Sequence, residues 1–333
     1  MRRHFLWLLV ACYVLAVAWP APGIAIRSWQ WSSRQISNVP LASLLLLAVM
    51  LVIAAALADL EQLRNVWRHP FVVLIALVSV WLGPAALSLV LGHMLPPTIG
   101  GEPTLGLLVS FALIASMPVA NSSVGWTQSA GGNLGLALAL VVISILASPM
   151  ITPNLVSVLG ASLGESEQQC TELVSQFSGL FFIVWVILPT AAGFASRLLL
   201  STARIEAVRP VLTLTSAAAL LVLNYINSVL ALPRVTSAPI AILATTFALA
   251  TSLAAVGILL GWLIARAFGL RPETRTALMF GLSMKHTGLA LILAGTVLSD
   301  QPVAILLIVL ATLMQHILAG IVQWRMDRNL TAS

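Results

Sequence analysis

The chain has 333 residues, 60% of them hydrophobic and 8% charged, with a mean hydropathy of +1.04. This composition lies outside the soluble globular range and describes a polytopic membrane protein. The net charge of +6 would suggest nucleic acid in a soluble chain, but the arginines fall in short clusters between apolar runs, where membrane topology puts them, so a nucleic-acid partner is set aside.

A hydrocarbon core of about 30 Å needs ~20 apolar residues per helix. Ten segments meet that need: 4–26, 39–60, 70–95, 103–127, 132–160, 172–200, 207–231, 238–268, 273–298 and 302–325. Met1-Arg-Arg-His and the run from Phe5 to Ala18 also fit a signal peptide, but the run continues through Pro20 to Ile26, and counting it as a span gives a consistent topology. Of the two cysteines, Cys12 lies in this first run and Cys170 beside a loop; neither a disulfide nor a zinc site follows from their spacing.

Alternating the loops puts Arg2, Arg3, Arg64, Arg68, Arg197, Arg204, Arg209, Arg266, Arg271, Arg275, Arg325 and Arg328 on one side, against Arg27, Arg34 and Arg234. The first side is therefore expected to be cytoplasmic, with both termini there and the chain multi-pass in the cell's inner (plasma) membrane. Glu102, Glu165, Glu167 and Asp300 fall on the other side. The loop around Gly160 to Glu167 separates two sets of five segments, 1–160 and 161–333. An odd number per set turns the halves over relative to each other, the inverted-repeat plan of many secondary transporters.

The fourth and ninth segments are interrupted, by Pro118-Val-Ala-Asn-Ser-Ser123 and by Gly281 to Gly288. Breaks at matching positions of two halves point to a binding site at the membrane midplane. They survive only where protein, water or ligand meets the freed backbone groups.

Lys285, the sole lysine, lies in the ninth segment. It is about twelve residues, ~18 Å, from either end, beyond the reach of a snorkelling side chain. All ten acidic residues fall at segment ends or in loops, so no carboxylate is available nearby in sequence. Lys285 either cross-links unwound helix ends by donating to backbone carbonyls, as a bound cation would, or serves as a substrate or coupling site. His286 and His316 sit at membrane depth and either relay protons or pair with a neighbouring helix. Around the first break, Asn121, Ser122, Ser123, Thr127, Gln128 and Asn133 supply neutral donors and acceptors suited to a cavity. Asn224 and Asn227, three apart, share a helix face toward either a pathway or an interhelical contact. There is no HExxH, GxSxG or Walker A sequence and no pair of intramembrane carboxylates, which argues against an enzyme or an ATP-driven pump.

The chain resembles the bile acid:sodium symporter family through Met117-Pro-Val-Ala-Asn-Ser-Ser-Val-Gly-Trp-Thr-Gln-Ser-Ala-Gly-Gly-Asn133, Ser148-Pro-Met-Ile-Thr-Pro153 and Met284-Lys-His-Thr-Gly-Leu-Ala290, with Pro20 and Leu188-Pro189 as further landmarks. The resemblance covers nearly the whole chain. It implies an all-α fold of ten transmembrane helices in two inverted five-helix repeats. A panel domain would comprise the first, second, sixth and seventh helices, and a core domain would carry the crossing broken helices 4 and 9. Transport would proceed by alternating access on small organic anions, with no cofactor. Family members bind two sodium ions behind the crossing. Here the resemblance places Gly281 at the ligating glutamate, Lys285 at the glutamine, Val124 at the asparagine, Ala137 and Val141 at the hydroxyls and Ser79 at the third-helix glutamine; only Ser123 is kept.

A site that loses its one negative charge and gains a positive one repels sodium. The expectation is sodium-independent transport, with Lys285 as a tethered replacement for the ion and with proton coupling, exchange or facilitation as the open modes. No metal is expected. In a second possibility Lys285, with Met284 and Thr287 beside it, meets the substrate's anionic group directly. The alternatives are a conventional sodium:organic anion symporter and, from another class, a non-transporting membrane sensor or subunit. An arsenite exporter of a related family would carry a cysteine in the fourth-helix motif, which this stretch lacks.

Overall fold

The computed structural model describes residues 2–31, 39–57, 70–100, 102–162, 183–231, 238–298 and 301–331, and these are helical almost throughout. Cys170, Glu165, Glu167, Arg34, Arg64, Arg68, Arg234, Asp300 and the first part of the sixth segment lie outside the described residues. Among the described residues, five helices are long and apolar enough to cross a membrane, and a bent pair makes a sixth crossing if counted as one span.

Helix α1 (Arg2–Ala18) is followed by α2 (Ala21–Arg27) at 91°. Pro20 starts the second piece, having no N–H to continue the first, and the Trp19 carbonyl just before it accepts the Tyr225 hydroxyl at 2.6 Å. A two-residue antiparallel pair, Gln30–Trp31 with Val39–Pro40, leads into α3 (Leu41–Ala56). Helix α4 (Pro70–Met94) follows, with Pro84 buried in its interior. A second small pair, Thr98–Ile99 with Glu102–Pro103, turns through Gly100 at φ 60°, a conformation that favours glycine. These two pairs are the departure from the all-α expectation.

The fourth segment is two helices, α5 (Leu105–Ser116) and α6 (Ser122–Ser129); α7 (Leu134–Ser162) comes next. The sixth segment is described from a π-helical turn, Ile183–Ile187, into α8 (Leu188–Leu199). Helices α9 (Thr202–Ala231) and α10 (Ile240–Ala267) are continuous. The ninth segment is again split, into α11 (Pro272–Ser283) and α12 (Thr287–Val297), and α13 (Pro302–Thr331) closes the described chain.

Both broken segments sit in the interior: α5 and α11 are buried along most or all of their length. Many of the exposed apolar residues, among them Phe71, Leu82, Met150 and Ile240, lie on the long continuous helices. A helix apolar on its outer face as well as its inner one suits a lipid solvent. Helices α10 and α11 meet backbone to backbone at Gly257 and Gly261, where a Cβ would lie 2.4 Å from the Leu282 carbonyl oxygen and 2.6 Å from the Met279 nitrogen, respectively. A small residue every four on one face is what close helix approach in a membrane uses.

Candidate functional site

The two breaks cross. Val119 and Lys285 form an isolated antiparallel bridge. The Ala120 N–H donates to the Met284 carbonyl at 2.9 Å, and the His286 N–H donates to the Pro118 carbonyl at 2.9 Å. The remaining freed groups are met by side chains. The Ser116 carbonyl accepts from Trp81 Nε1 at 3.1 Å and Thr152 Oγ1 at 2.8 Å, the Val119 N–H donates to Ser144 Oγ at 3.0 Å, and the Lys285 N–H donates to Gln315 Oε1 at 3.1 Å. Backbone polar groups in a dry interior have to be paired, and these pairings meet several of those at the crossing.

Three carbonyls go to one side chain. Lys285, 1% exposed, donates from Nζ to the carbonyl oxygens of Val80, Ala115 at 3.0 Å and Met117 at 3.1 Å. The break at Pro118 frees the last two. The first has a different origin: a helix would pair the Val80 carbonyl with the N–H of residue 84, and Pro84 has none. Three acceptors around one nitrogen match the three N–H donors of an ammonium ion, whereas a neutral amine would turn a lone pair toward one of the oxygens.

Beside the crossing lies a cavity of about 300 Å³, between α3, α8 and α9 on one side and α6, α7 and α13 on the other. Its walls are mostly apolar; their polar groups include Asn121, Ser122, Gln128, Arg209, Ser216 and His316. Arg209 is also held by Glu206 at 2.6 Å at the exposed end of α9. Among the described residues, neither polar atom of the Asn121 amide has a hydrogen-bond partner. Lys285 is not part of these walls, and its amine is buried apart from the cavity.

The other expected site residues separate into groups. His316 Nδ1 accepts from Trp126 Nε1 at 3.1 Å, which makes Nε2 the protonated nitrogen of the neutral ring. His286 Nδ1 accepts the Leu289 N–H at 3.2 Å and so caps its own helix. Thr287 Oγ1 accepts from Gln315 Nε2 at 3.5 Å, and Met284 is buried with its sulfur 4.0 Å from Ser122 Oγ. Ser123 and Thr127, one turn apart on α6, are fully buried with hydroxyls that have no partner.

Asn133, expected at a cavity, instead accepts the Leu136 N–H at 3.0 Å and caps α7. Asn133→Ala is expected to cost about 1 kcal/mol of stability, the usual worth of such a cap, and to leave ligand affinity unchanged; thermal unfolding and a binding titration of the same variant read both. Asn224 and Asn227 do share a face, but it looks toward the first span. Asn224 Oδ1 accepts from the Tyr13 hydroxyl at 3.2 Å, and Asn227 Oδ1 from Arg27 Nη1 at 2.8 Å, while Arg27 Nη2 reaches the Gly295 carbonyl at 3.1 Å.

Of the positions matched to sodium ligands, Gly281 faces Leu140, whose Cδ1 lies 2.7 Å from where a Cβ would be, so an apolar side chain fills that space. Val124 and Val141 line the cavity, Ala137 is buried and Ser79 is partly buried on α4. Gln315, Pro84, Trp81, Thr152 and Ser144 were absent from the expected set. Pro84 alone carried a readable signal, a proline four residues after a carbonyl that a helix would otherwise bond.

Crossed half-helices at the centre of a bundle of apolar helices define a membrane transporter architecture. The chain belongs to the SBF-like CPA transporter family (DUF4137), whose sequence profile matches residues 3–328. That family is related to the bile acid:sodium symporters, and membership makes this a multi-pass membrane protein built for transport. The chain is also 26% identical to the "Uncharacterized protein YbaS" of Bacillus subtilis (strain 168) over 274 residues, 81% of this chain and 84% of that one.

Proposed function

We propose that this protein is a sodium-independent secondary transporter of small organic anions, working by alternating access, in which the Lys285 ammonium holds the crossing as a bound sodium ion would. The observation that carries the reading is the Lys285 amine donating to three backbone carbonyls at the crossing of two broken helices. A sodium ion between carbonyl oxygens supplies one positive charge to the same kind of groups. Leu140 against Gly281 adds support, because a hard cation finds no oxygen there.

In this reading the split and shorter helices are joined into ten crossings: α1 with α2, α3, α4, α5 with α6, α7, the π turn with α8, α9, α10, α11 with α12, and α13. In this reading 1–160 and 161–333 are inverted halves, and the first, second, sixth and seventh crossings form the panel against which the core moves. Both termini face the cytoplasm, with the chain in the inner (plasma) membrane. The cavity between panel and core is the substrate's compartment. Asn121 and Ser122 at the head of a half-helix, with Gln128, Arg209 and His316, supply donors to an anion, and the helix dipole adds positive potential at that head. The lysine is a fixed part of the core instead of a substrate ligand, and protons are the coupling ion it leaves available.

A thermal-shift series of carboxylates and sulfonates in sodium, potassium and choline chloride at equal ionic strength tests this, followed by flux of the best ligand into liposomes. Ligand stabilisation is expected to be the same in all three salts, and flux indifferent to a sodium gradient. Accumulation driven by sodium would identify a conventional sodium:anion symporter, and binding without flux a sensor.

A further inference from the structure

We propose that the carbonyl oxygens of Val80, Ala115 and Met117 form a cation cradle in their own right, completed by Pro84 as a positioning residue, and that the chain without the Lys285 amine binds a primary alkylammonium ion there. The proposal rests on the tethered-cation reading of Lys285 and specifies the chemistry of that site.

Each of the three oxygens is freed by the backbone, not by the lysine. Ala115 and Met117 lie at the end of α5, where the chain leaves helical geometry before Pro118, and the Val119 N–H that a continued helix would give to the Ala115 carbonyl goes to Ser144 Oγ instead. Val80 sits in mid-helix, where a carbonyl is normally satisfied. There Pro84, itself buried, both withholds the N–H and crowds the carbonyl four residues earlier out of line. The neighbouring Trp81 and Ser116 groups are already spent on each other, since Trp81 Nε1 donates to the Ser116 carbonyl. The Val80 and Ala115 oxygens have thus lost their helix donors, and with Met117 they number three, which is the number of N–H groups on a primary ammonium.

The rest of the side chain makes the ligand specific. Lys285 is 1% exposed, so its methylene stem fills a dry slot that leads to the oxygens. Shortening Lys285 to alanine removes three carbons and the nitrogen, which is n-propylammonium. A quaternary ammonium of the same charge has no N–H to give, and an alkali cation lacks the apolar tail. Pro84→Ala restores an N–H to α4 that bonds the Val80 carbonyl, leaving two oxygens for the guest.

The experiment uses purified full-length Lys285→Ala in detergent with n-propylammonium or tetramethylammonium chloride at equal ionic strength, read as the unfolding midpoint. The expected result is a saturable rise with propylammonium and none with tetramethylammonium. Adding Pro84→Ala is expected to raise the half-saturating concentration by about tenfold or more, the worth of one charge-assisted hydrogen bond. No rise with propylammonium, or an equal rise with the quaternary ion, overturns the cradle; a rise indifferent to Pro84→Ala overturns the role of the proline.

If Lys285→Ala does not yield folded protein, Pro84→Ala in the wild-type background gives the second measurement. Lys285 is the only lysine, so acylation by an amine-reactive ester can be followed at that one side chain by peptide mass spectrometry. The rate is expected to rise severalfold in Pro84→Ala as one bond to the amine is lost, and an unchanged rate overturns the proposal. Sodium-driven flux by the wild type would sink the functional reading and leave these results standing, while a silent propylammonium titration would sink the cradle alone.

Discussion

Lys285→Met is expected to be the most damaging single substitution in the crossing. Methionine fills much of the same space but donates nothing, so three buried carbonyl oxygens lose their partner at about 1–3 kcal/mol each. The sum, roughly 3–9 kcal/mol, is a large part of the ~5–15 kcal/mol that holds a typical domain folded. The measurement is the unfolding midpoint in detergent together with monodispersity on size exclusion. Lys285→Gln, which keeps two N–H donors on a shorter stem, should fall between. A Lys285→Met protein as stable as the wild type would show that the amine is a bystander at the crossing.

The second large effect is expected away from any polar group. In Gly257→Ala with Gly261→Ala, the new methyls meet backbone, not flexible side-chain ends: the Leu282 carbonyl and Ser283 Cα at 2.4 Å, and the Leu278 carbonyl carbon, Met279 nitrogen and Met279 Cα at 2.6 Å. Overpacking of that kind costs about 1–3 kcal/mol per site. It cannot be relieved without pushing α11 away from α10 and dragging Ser283 and the break with it. Gly125→Ala is the control, because a Cβ there meets nothing within 4 Å. The pair of substitutions is expected to lower the unfolding midpoint strongly and the control to hold or raise it; equal behaviour would show that α10 and α11 are free to slide.

The breaks in the fourth and ninth segments were legible because proline and glycine interrupt long apolar runs, and the lone lysine drew attention for the same reason. The partners of Lys285 were not legible. A run of apolar residues records which elements lie in the membrane but not which carbonyl of a neighbouring helix faces which side chain, so Pro84 marks the Val80 carbonyl as unpaired in its own helix while nothing in the sequence assigns that carbonyl to Lys285. Asn133 carried a second signal besides its cavity reading. A polar residue before the apolar run starting at Leu134 is also a helix-start signal, and the structure uses it as one. The spacing of Asn224 and Asn227 gave their common face correctly and said nothing about what lay opposite, which is Tyr13 and Arg27. The Gly257 and Gly261 pair carried a pattern that was open to reading, since small residues four apart mark close helix approach. Gln315 carried none, being one more polar residue next to a more conspicuous histidine.

A dissolved metal ion leaves its ligands whenever its concentration falls below the dissociation constant, and a protein knitted together by one is hostage to the composition of the surrounding fluid. The nitrogen that joins Val80, Ala115 and Met117 is covalently part of the chain and cannot be diluted away. In the proposed reading, the two half-helix pairs are expected to stay fastened in distilled water and in brine alike.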